Sequence, residues 1–270
     1  MIITVDGLRP DAITETDTPN IYSLLKKSSY TLKANTIEPS LTLPAHTSLV
    51  TGLSPENFRK LQITWDNSSN YIEDDTIFSL SGIKGLDSAM FVGKGKLGYI
   101  ANPKYINHFY YSNTFHTSIR TITNSFLSYF LKNKPELTLI HFPEPDISGH
   151  KYGWMSKKYL IALNKVDKSI SQIIKTMEDH NLLKDILFII TADHGGVDKA
   201  HELDDPLVKT IPWIAYGSGI KKNHKIEKEV FIYDTAPTVL KAFDISTDSK
   251  MDGESITEIF LESQSNSSPN

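Results

Sequence analysis

ILFIITADHGG, residues 186–196, runs from an apolar, β-branched stretch directly into an acid, an imidazole and two glycines. A continuous apolar run of this length suits a strand covered on both faces, as in a parallel sheet. Asp193 and His194 at its end must find solvent, a partner or a cation, because an unpaired buried carboxylate is very costly. A plain turn is the alternative, since Asp and Gly are common there. The same organisation recurs along the chain. MIITV (1–5) runs into Asp6, and TLIHF (138–142) is followed by PEPD, ending in Asp146; SAMFV (88–92) and WIAY (213–216) read as further strands. Between them lie helical patterns. TPNIYSLLKKS (18–28) opens on a Thr cap and a first-turn proline. Residues 156–179 carry Leu160, Leu163, Val166, Ile170, Ile173, Ile174 and Met177 as one stripe, and YDTAPTVLKAFDI (233–245) reads as a helix beginning after Asp234. Strand–helix alternation predicts an α/β, doubly wound, mostly parallel sheet with helices on both faces.

Composition narrows the class. The 270 residues are 39% hydrophobic and 22% charged, with a net charge of −4, which gives no electrostatic case for duplex nucleic acid or an anionic membrane. There is no cysteine, which excludes disulfides, thiolate metal sites and cysteine nucleophiles. No apolar run approaches the ~18 residues needed to span a bilayer. MIITVDG reads as a strand from the first residue, so the expected location is cytoplasmic. The expected organisation is a single catalytic domain over 1–262, with a polar, weakly periodic stretch at 56–125 as an active-site excursion or small cap. The tail SQSNSSPN (263–270) reads as disordered.

Three strands thus end in carboxylates, and open α/β sheets place ligand sites outside the carboxyl ends of their strands. Asp6, Asp146 and Asp193 in one crevice would repel, and a cation is the usual resolution. DISGH places His150 four residues after Asp146, with Gly149 expected to allow a tight turn between them, and DKAHELDD (198–205) offers His201 on a loop. Such an N/O donor set suits zinc and, less uniquely, manganese. His141 reads as a strand residue, and His108, His116, His180 and His224 as loop or helix-end positions. SLTLPAHTSLVTG (40–52) predicts a helix from about Ala45 to Thr51 with Thr42 at its mouth. On its own Thr42 is a helix cap; beside metals it is a nucleophile. Lys94 and Lys96 of GKGKLG (93–98) read as a solvated loop. Trp65, Tyr71, Tyr152 and Trp154 are candidates for stacking on a base or a lipid head group, and equally for packing.

In order, VDGLRPD, TLPAHTSLVTG, PEPDISGHKYGW, TADHGG and a later His resemble the alkaline phosphatase superfamily and, within it, the type I phosphodiesterase/nucleotide pyrophosphatase branch. The resemblance covers residues 1 to about 253, where Asp252-Gly253 is also a family feature. It implies an alkaline-phosphatase-like fold and two Zn2+ ions (Mn2+ as the alternative), one held by Asp146, His150 and His201 and the other by Asp6, Asp193, His194 and the Thr42 oxygen. It also implies attack by Thr42 on a small-molecule phosphoester through a phosphothreonine intermediate. The family's short His-Gly segment after the nucleophile helix is replaced here by ENFRKLQITWDN (56–67); Asn67, or Asp66, is the candidate for holding a phosphoryl oxygen. His224 is the fallback for His201. Two divalent ions against three carboxylates leave about +1, which favours a monoanionic diester. A phosphomonoesterase, which needs further cations such as Lys94 or Lys96, and a phosphonate hydrolase stay open, as does a non-catalytic metal-binding module. Oligomeric state is left open.

Overall fold

The computed structural model describes residues 1–65, 70–114 and 118–262. In chain order its main elements are β1 (Ile2–Val5), α1 (Pro19–Leu25), β2 (Ser29–Asn35), α2 (Thr42–Thr51), α3 (Ile77–Ile83), β3 (Ser88–Val92), β4 (His108–Tyr111), α4 (Ser118–Asn133), β5 (Leu137–Phe142), α5 (Glu144–Tyr152), α6 (Lys157–Asp179), β6 (Leu187–Thr191), α7 (Pro206–Lys209), β7 (Thr210–Gly217), β8 (His224–Lys225) and α8 (Thr235–Ala242). The strands form one eight-stranded sheet in the order β4-β3-β5-β1-β6-β7-β2-β8. From β4 to β6 every pairing is parallel. β7 runs antiparallel to both β6 and β2, so the sheet is mostly parallel, as the sequence predicts. β1, β3 and β5 are buried along their whole lengths, consistent with apolar runs covered from both sides.

Helices α1, α4 and α5 pack on α6, whereas α2, α3 and α8 pack with one another, so the helices form two groups. The long helix begins where its pattern predicts: Ser156 is the cap, its hydroxyl accepting from the Tyr159 amide. α1 departs from the expected capping, because the Thr18 hydroxyl donates to the Ala12 carbonyl instead. Of the stretch 56–125, Ser88–Val92 and His108–Tyr111 form the β3–β4 edge of the main sheet. His108, expected in a loop or helix end, opens β4 and stacks on Tyr129 with ring centroids 4.0 Å apart. Among the described residues no helix is long and apolar enough to cross a membrane. The tail 263–270 lies outside the described residues, as do His116, Asp66 and Asn67.

The fold brings three strand ends together. β5 and β6 flank β1 in parallel, in registers Val5↔Phe142 and Thr4↔Thr191. Asp6, the segment leading to Asp146, and Asp193–His194 therefore leave the sheet side by side.

Candidate metal centre and nucleophile helix

Asp6 and Asp193 are fully buried and Asp146 nearly so. Asp193 is fixed through one oxygen, Oδ1, which accepts from the amides of Gly7 and His194, both at 3.1 Å. Its other oxygen, Oδ2, lies 3.5 Å from His194 Nε2, and that nitrogen lies 3.5 Å from Asp6 Oδ1. These three residues form a buried donor group with all ligand atoms within 4.8 Å of one another. A second such group is Asp146, His194 and His201. His201 Nε2 is 3.8 Å from Asp146 Oδ1, and His150 Nε2 is 3.3 Å from the same oxygen. His194 thus stands between the two sets, its ring stacked on His201 at 3.7 Å. His150 sits at the rim, its side chain 46% exposed.

The histidines are oriented through their other nitrogen. Nδ1 of His194 pairs with the Gly195 carbonyl at 2.9 Å, that of His150 with the Lys199 carbonyl at 2.9 Å, and that of His201 with the Ser40 carbonyl at 2.7 Å. A carbonyl only accepts, so each Nδ1 carries the hydrogen, the usual support of a metal-bound imidazole; at His150 the Asp146 carboxylate beside Nε2 raises the pKa, so a proton competes for that nitrogen. Burial pushes His201 down to about 4, which keeps it neutral. The unsatisfied atoms agree: Asp6 Oδ1, Asp146 Oδ1, Asp193 Oδ2 and His194 Nε2 are buried without a hydrogen-bond partner. Each such atom costs about 1–3 kcal/mol, more when charged, and all four are donors to a cation. The residues fit a metal centre of carboxylate and imidazole ligands, as zinc or manganese would take.

A third group within 4.8 Å, His46, His141 and Asp193, does not fit. His46 has both nitrogens engaged, Nδ1 with the Thr42 carbonyl at 2.8 Å and Nε2 with the Thr4 hydroxyl at 2.9 Å. His141 Nδ1 accepts from the Gly93 amide at 3.3 Å, leaving Nε2–H to donate to Asp6 Oδ2 at 2.9 Å. His141, read from the sequence only as a strand residue, orients the Asp6 carboxylate. Its polar character inside TLIHF was the available signal.

Helix α2 starts at Thr42, three residues earlier than its pattern predicts, and Leu41 rather than Thr42 is its N-cap. The Thr42 hydroxyl, buried, accepts instead from Lys94 Nζ at 2.9 Å. Lys94 is the residue whose sequence reading fails. Rather than sitting in solvent, its ammonium lies 2.6 Å from Asp146 Oδ2 and 2.7 Å from Asp6 Oδ2. Burial alone would lower its pKa, but Asp6, Asp146 and Asp193 hold it above the usual lysine range. In return Asp6 and Asp146, which burial would push up, are held down, Asp6 well below the usual range by Lys94 and His141, Asp146 to about 2 by Lys94 and His150. Asp193 goes the other way, raised by burial and by Asp6. Lys96 lies on the same loop and lines a small cavity with Lys94.

Three further expectations change. Asp146 and His150 are related by one turn of α5, not by a tight turn. Gly149 is required by packing instead: a Cβ there would stand 2.6 Å from the Trp154 ring, and one at Gly196 2.1 Å from it. Trp154 is therefore a buried wedge, its Nε1 donating to the Gly7 carbonyl at 2.9 Å. Trp65 covers Gly98 and donates to the Asn70 carbonyl, leaving Tyr152 as the exposed ring among the four aromatic candidates. His224 pairs with Glu258 at 2.9 Å on the β8 edge and is no substitute for His201. Asp252 closes the far end of α2, accepting from the Ser54 amide and hydroxyl at 2.8 Å, while the Asp252 and Gly253 amides donate to the Gly52 carbonyl. Asn67 lies outside the described residues.

Comparison with known proteins identifies the family. Mouse ectonucleotide pyrophosphatase/phosphodiesterase family member 7 is 25% identical over 226 residues, 72% of this chain and 49% of that protein. The Xenopus laevis bis(5'-adenosyl)-triphosphatase enpp4 is 26% identical over 211 residues, 72% of this chain and 46% of its own length. The chain thus spans about half the length of the curated relatives it matches. An inactive Thr-to-Ala variant of murine ectonucleotide pyrophosphatase/phosphodiesterase 5, solved in complex with AMP, superposes with a TM-score of 0.79 at 14% identity over 96% of this chain and 99% of that one. The family model for type I phosphodiesterase/nucleotide pyrophosphatase matches residues 1–234, and the chain therefore belongs to that family, within the alkaline phosphatase superfamily.

Proposed function

We propose that the chain is a metal-dependent phosphoester hydrolase acting on small phosphodiesters, with Thr42 as nucleophile and a phosphothreonine intermediate. The observation that carries this reading is the convergence of Thr42, three buried carboxylates and three Nε2-presenting histidines at adjoining strand ends. The named loss of activity in the Thr-to-Ala relative supports the role of the threonine. Asp6, Asp193 and His194 would hold one divalent ion, and Asp146, His150 and His201 the other, with His194 close enough to serve either. Two bound ions would supply charge neutralisation and Lewis acidity at the reacting phosphoryl group.

The chain's own residues do the rest. Carried at the first turn of α2, the Thr42 oxygen meets the Lys94 ammonium that also pairs with Asp146 and Asp6. The Lys94 ammonium at 2.9 Å stabilises that oxygen as its proton passes to solvent. The Thr42 Oγ–P bond forms as the bond to the leaving oxygen breaks, and that oxygen takes a proton from solvent and departs as the alcohol. Water then cleaves the phosphothreonine, returning the hydroxyl and releasing the phosphoryl product. His141 keeps the Asp6 carboxylate turned inward throughout.

Lys94 favours a second reading beside the first. With its charge counted, two divalent ions and three carboxylates leave about +2, or about +1 once Thr42 ionises. That is one charge more than the carboxylates alone suggest, and it brings dianionic monoesters and phosphonates within reach. A panel of chromogenic phosphodiesters, phosphomonoesters and phosphonates, assayed with zinc-loaded protein, separates the readings by kcat/KM. Diester hydrolysis above monoester is the expected result. A metal-bound protein inert toward the whole panel would make the chain a metal-binding module.

A further inference from the structure

Away from the metal centre, helices α4, α5 and α6 enclose a groove of about 820 Å3. Arg120, Lys151, Lys158, Lys165 and Lys168 line it, all exposed. None of the five takes part in an ion pair among the described residues, whereas Lys175, one turn beyond the groove, pairs with Asp179. Two carboxylates stand nearby. Glu144 lines the groove but is buried, and it accepts from the Ser118 hydroxyl and the Ile119 amide. Asp167 accepts from Asn20 and the Ile21 amide on α1. A chain with a net charge of −4 thus concentrates around one concavity five cations without a carboxylate partner among the described residues, Lys151 lying over the Tyr152 ring at 5.2 Å.

Two features set the ligand class. Lys158, Lys165 and Lys168 span about 15 Å of helix axis at 1.5 Å per residue, too long for one phosphate and suited to a chain of anionic groups. The groove also leads toward the reactive end. It shares Ile147 with a smaller cavity of about 320 Å3, whose wall includes Lys94 and Lys96, and Lys94 touches Thr42. α5 is the partition: Asp146 and His150 face the metal centre, while Ile147 and Lys151 line the groove.

We propose that this groove is an exosite for a linear phosphate polymer, which it holds along α6 with one end leading over Ile147 toward Thr42. Delivery of a phosphoester to Thr42 rests on the hydrolase reading; binding in the groove does not.

The test is fluorescence-anisotropy binding to zinc-loaded Thr42→Ala protein, with labelled single-stranded oligothymidylate as probe and inorganic polyphosphate as competitor. Five contacts at about −0.7 each give a log–log salt slope of about −3.5, so a fourfold rise in salt weakens binding about a hundredfold. Combining Arg120→Gln, Lys158→Gln, Lys165→Gln and Lys168→Gln should reduce the slope by about 3. Competition by polyphosphate identifies charge alone as sufficient; preference for oligothymidylate, lost in Tyr152→Ala, identifies a nucleic acid strand stacked on the exposed ring. Binding that ignores both salt and the fourfold substitution overturns the exosite. So does association with phosphatidylserine vesicles without polymer binding, which would make the patch a membrane contact. The hydrolase reading fails separately, if wild-type protein that binds the polymer hydrolyses no phosphoester.

Discussion

Replacing Lys94 by methionine removes an ammonium that touches Asp6, Asp146 and Thr42 at 2.6–2.9 Å while keeping much of the side chain's volume. With metal bound, the contact to the Thr42 oxygen serves every substrate, and losing one charge-assisted hydrogen bond costs about 1.5–3 kcal/mol. At 1.4 kcal/mol per decade, the lower figure gives about a tenfold fall in kcat/KM for a diester. A monoester carries a second charge that the centre must also balance, and losing the cation there costs a similar amount again. Its kcat/KM should fall about a hundredfold, so the diester-to-monoester ratio should rise about tenfold. The assay is initial-rate kinetics on a matched pair of chromogenic esters, using zinc-loaded protein with measured metal content. Equal falls for both substrates would refute the charge-discrimination argument. An unchanged rate for both would mean that the ammonium leaves Thr42 when the centre is filled.

Other consequences are equally direct. Asp193→Asn keeps an oxygen for the Gly7 and His194 amides but loses the carboxylate charge, so elemental analysis should find about one metal fewer per chain with the fold retained; full occupancy would remove Asp193 from the ligand set. His141→Phe deprives Asp6 of its orienting donor and should weaken zinc binding about 10–100-fold in chelator competition, whereas unchanged affinity would make His141 a packing residue. His46, fully buried, is pushed down to about 3 by burial first and by His141 second. Above its ordinary value near 6.5 it is neutral whether folded or unfolded and has no effect. Below that the unfolded chain takes up the proton first, so stability of the metal-free protein should fall toward acid at up to about 1.4 kcal/mol per pH unit. Denaturant titrations between pH 6.5 and 4.5 should give a flatter slope for His46→Gln; an unchanged slope would exclude His46 as its source.

What was legible in the sequence was local. Apolar runs ending in acids gave β1, β5 and β6 and the positions of Asp6, Asp146 and Asp193, because strand identity and exit point are both encoded within a few residues. The long helix α6 was readable from its stripe and its Ser156 cap. What was illegible depends on distant partners. GKGKLG resembles any solvated loop, and only the approach of Asp6 and Asp146 from two other strands makes Lys94 a buried cation. The antiparallel placement of β7 between β6 and β2 is likewise a pairing choice that WIAY does not reveal. The sequence leaves Trp154 open between stacking and packing because the glycines it fills, Gly149 and Gly196, come from separate segments. The Asp146–His150 spacing was correct but its cause was not: one helical turn makes the pair, and the glycine between them serves the indole.

The most direct measurement is acid quenching of zinc-loaded protein during turnover of a chromogenic phosphodiester, followed by peptide mass spectrometry. The account predicts a phosphoryl group on Thr42 in the wild type, with neither adduct nor turnover in a Thr42→Ala protein that keeps its metal. Turnover of that variant at near wild-type rate, with no adduct on Thr42 in either protein, would contradict it.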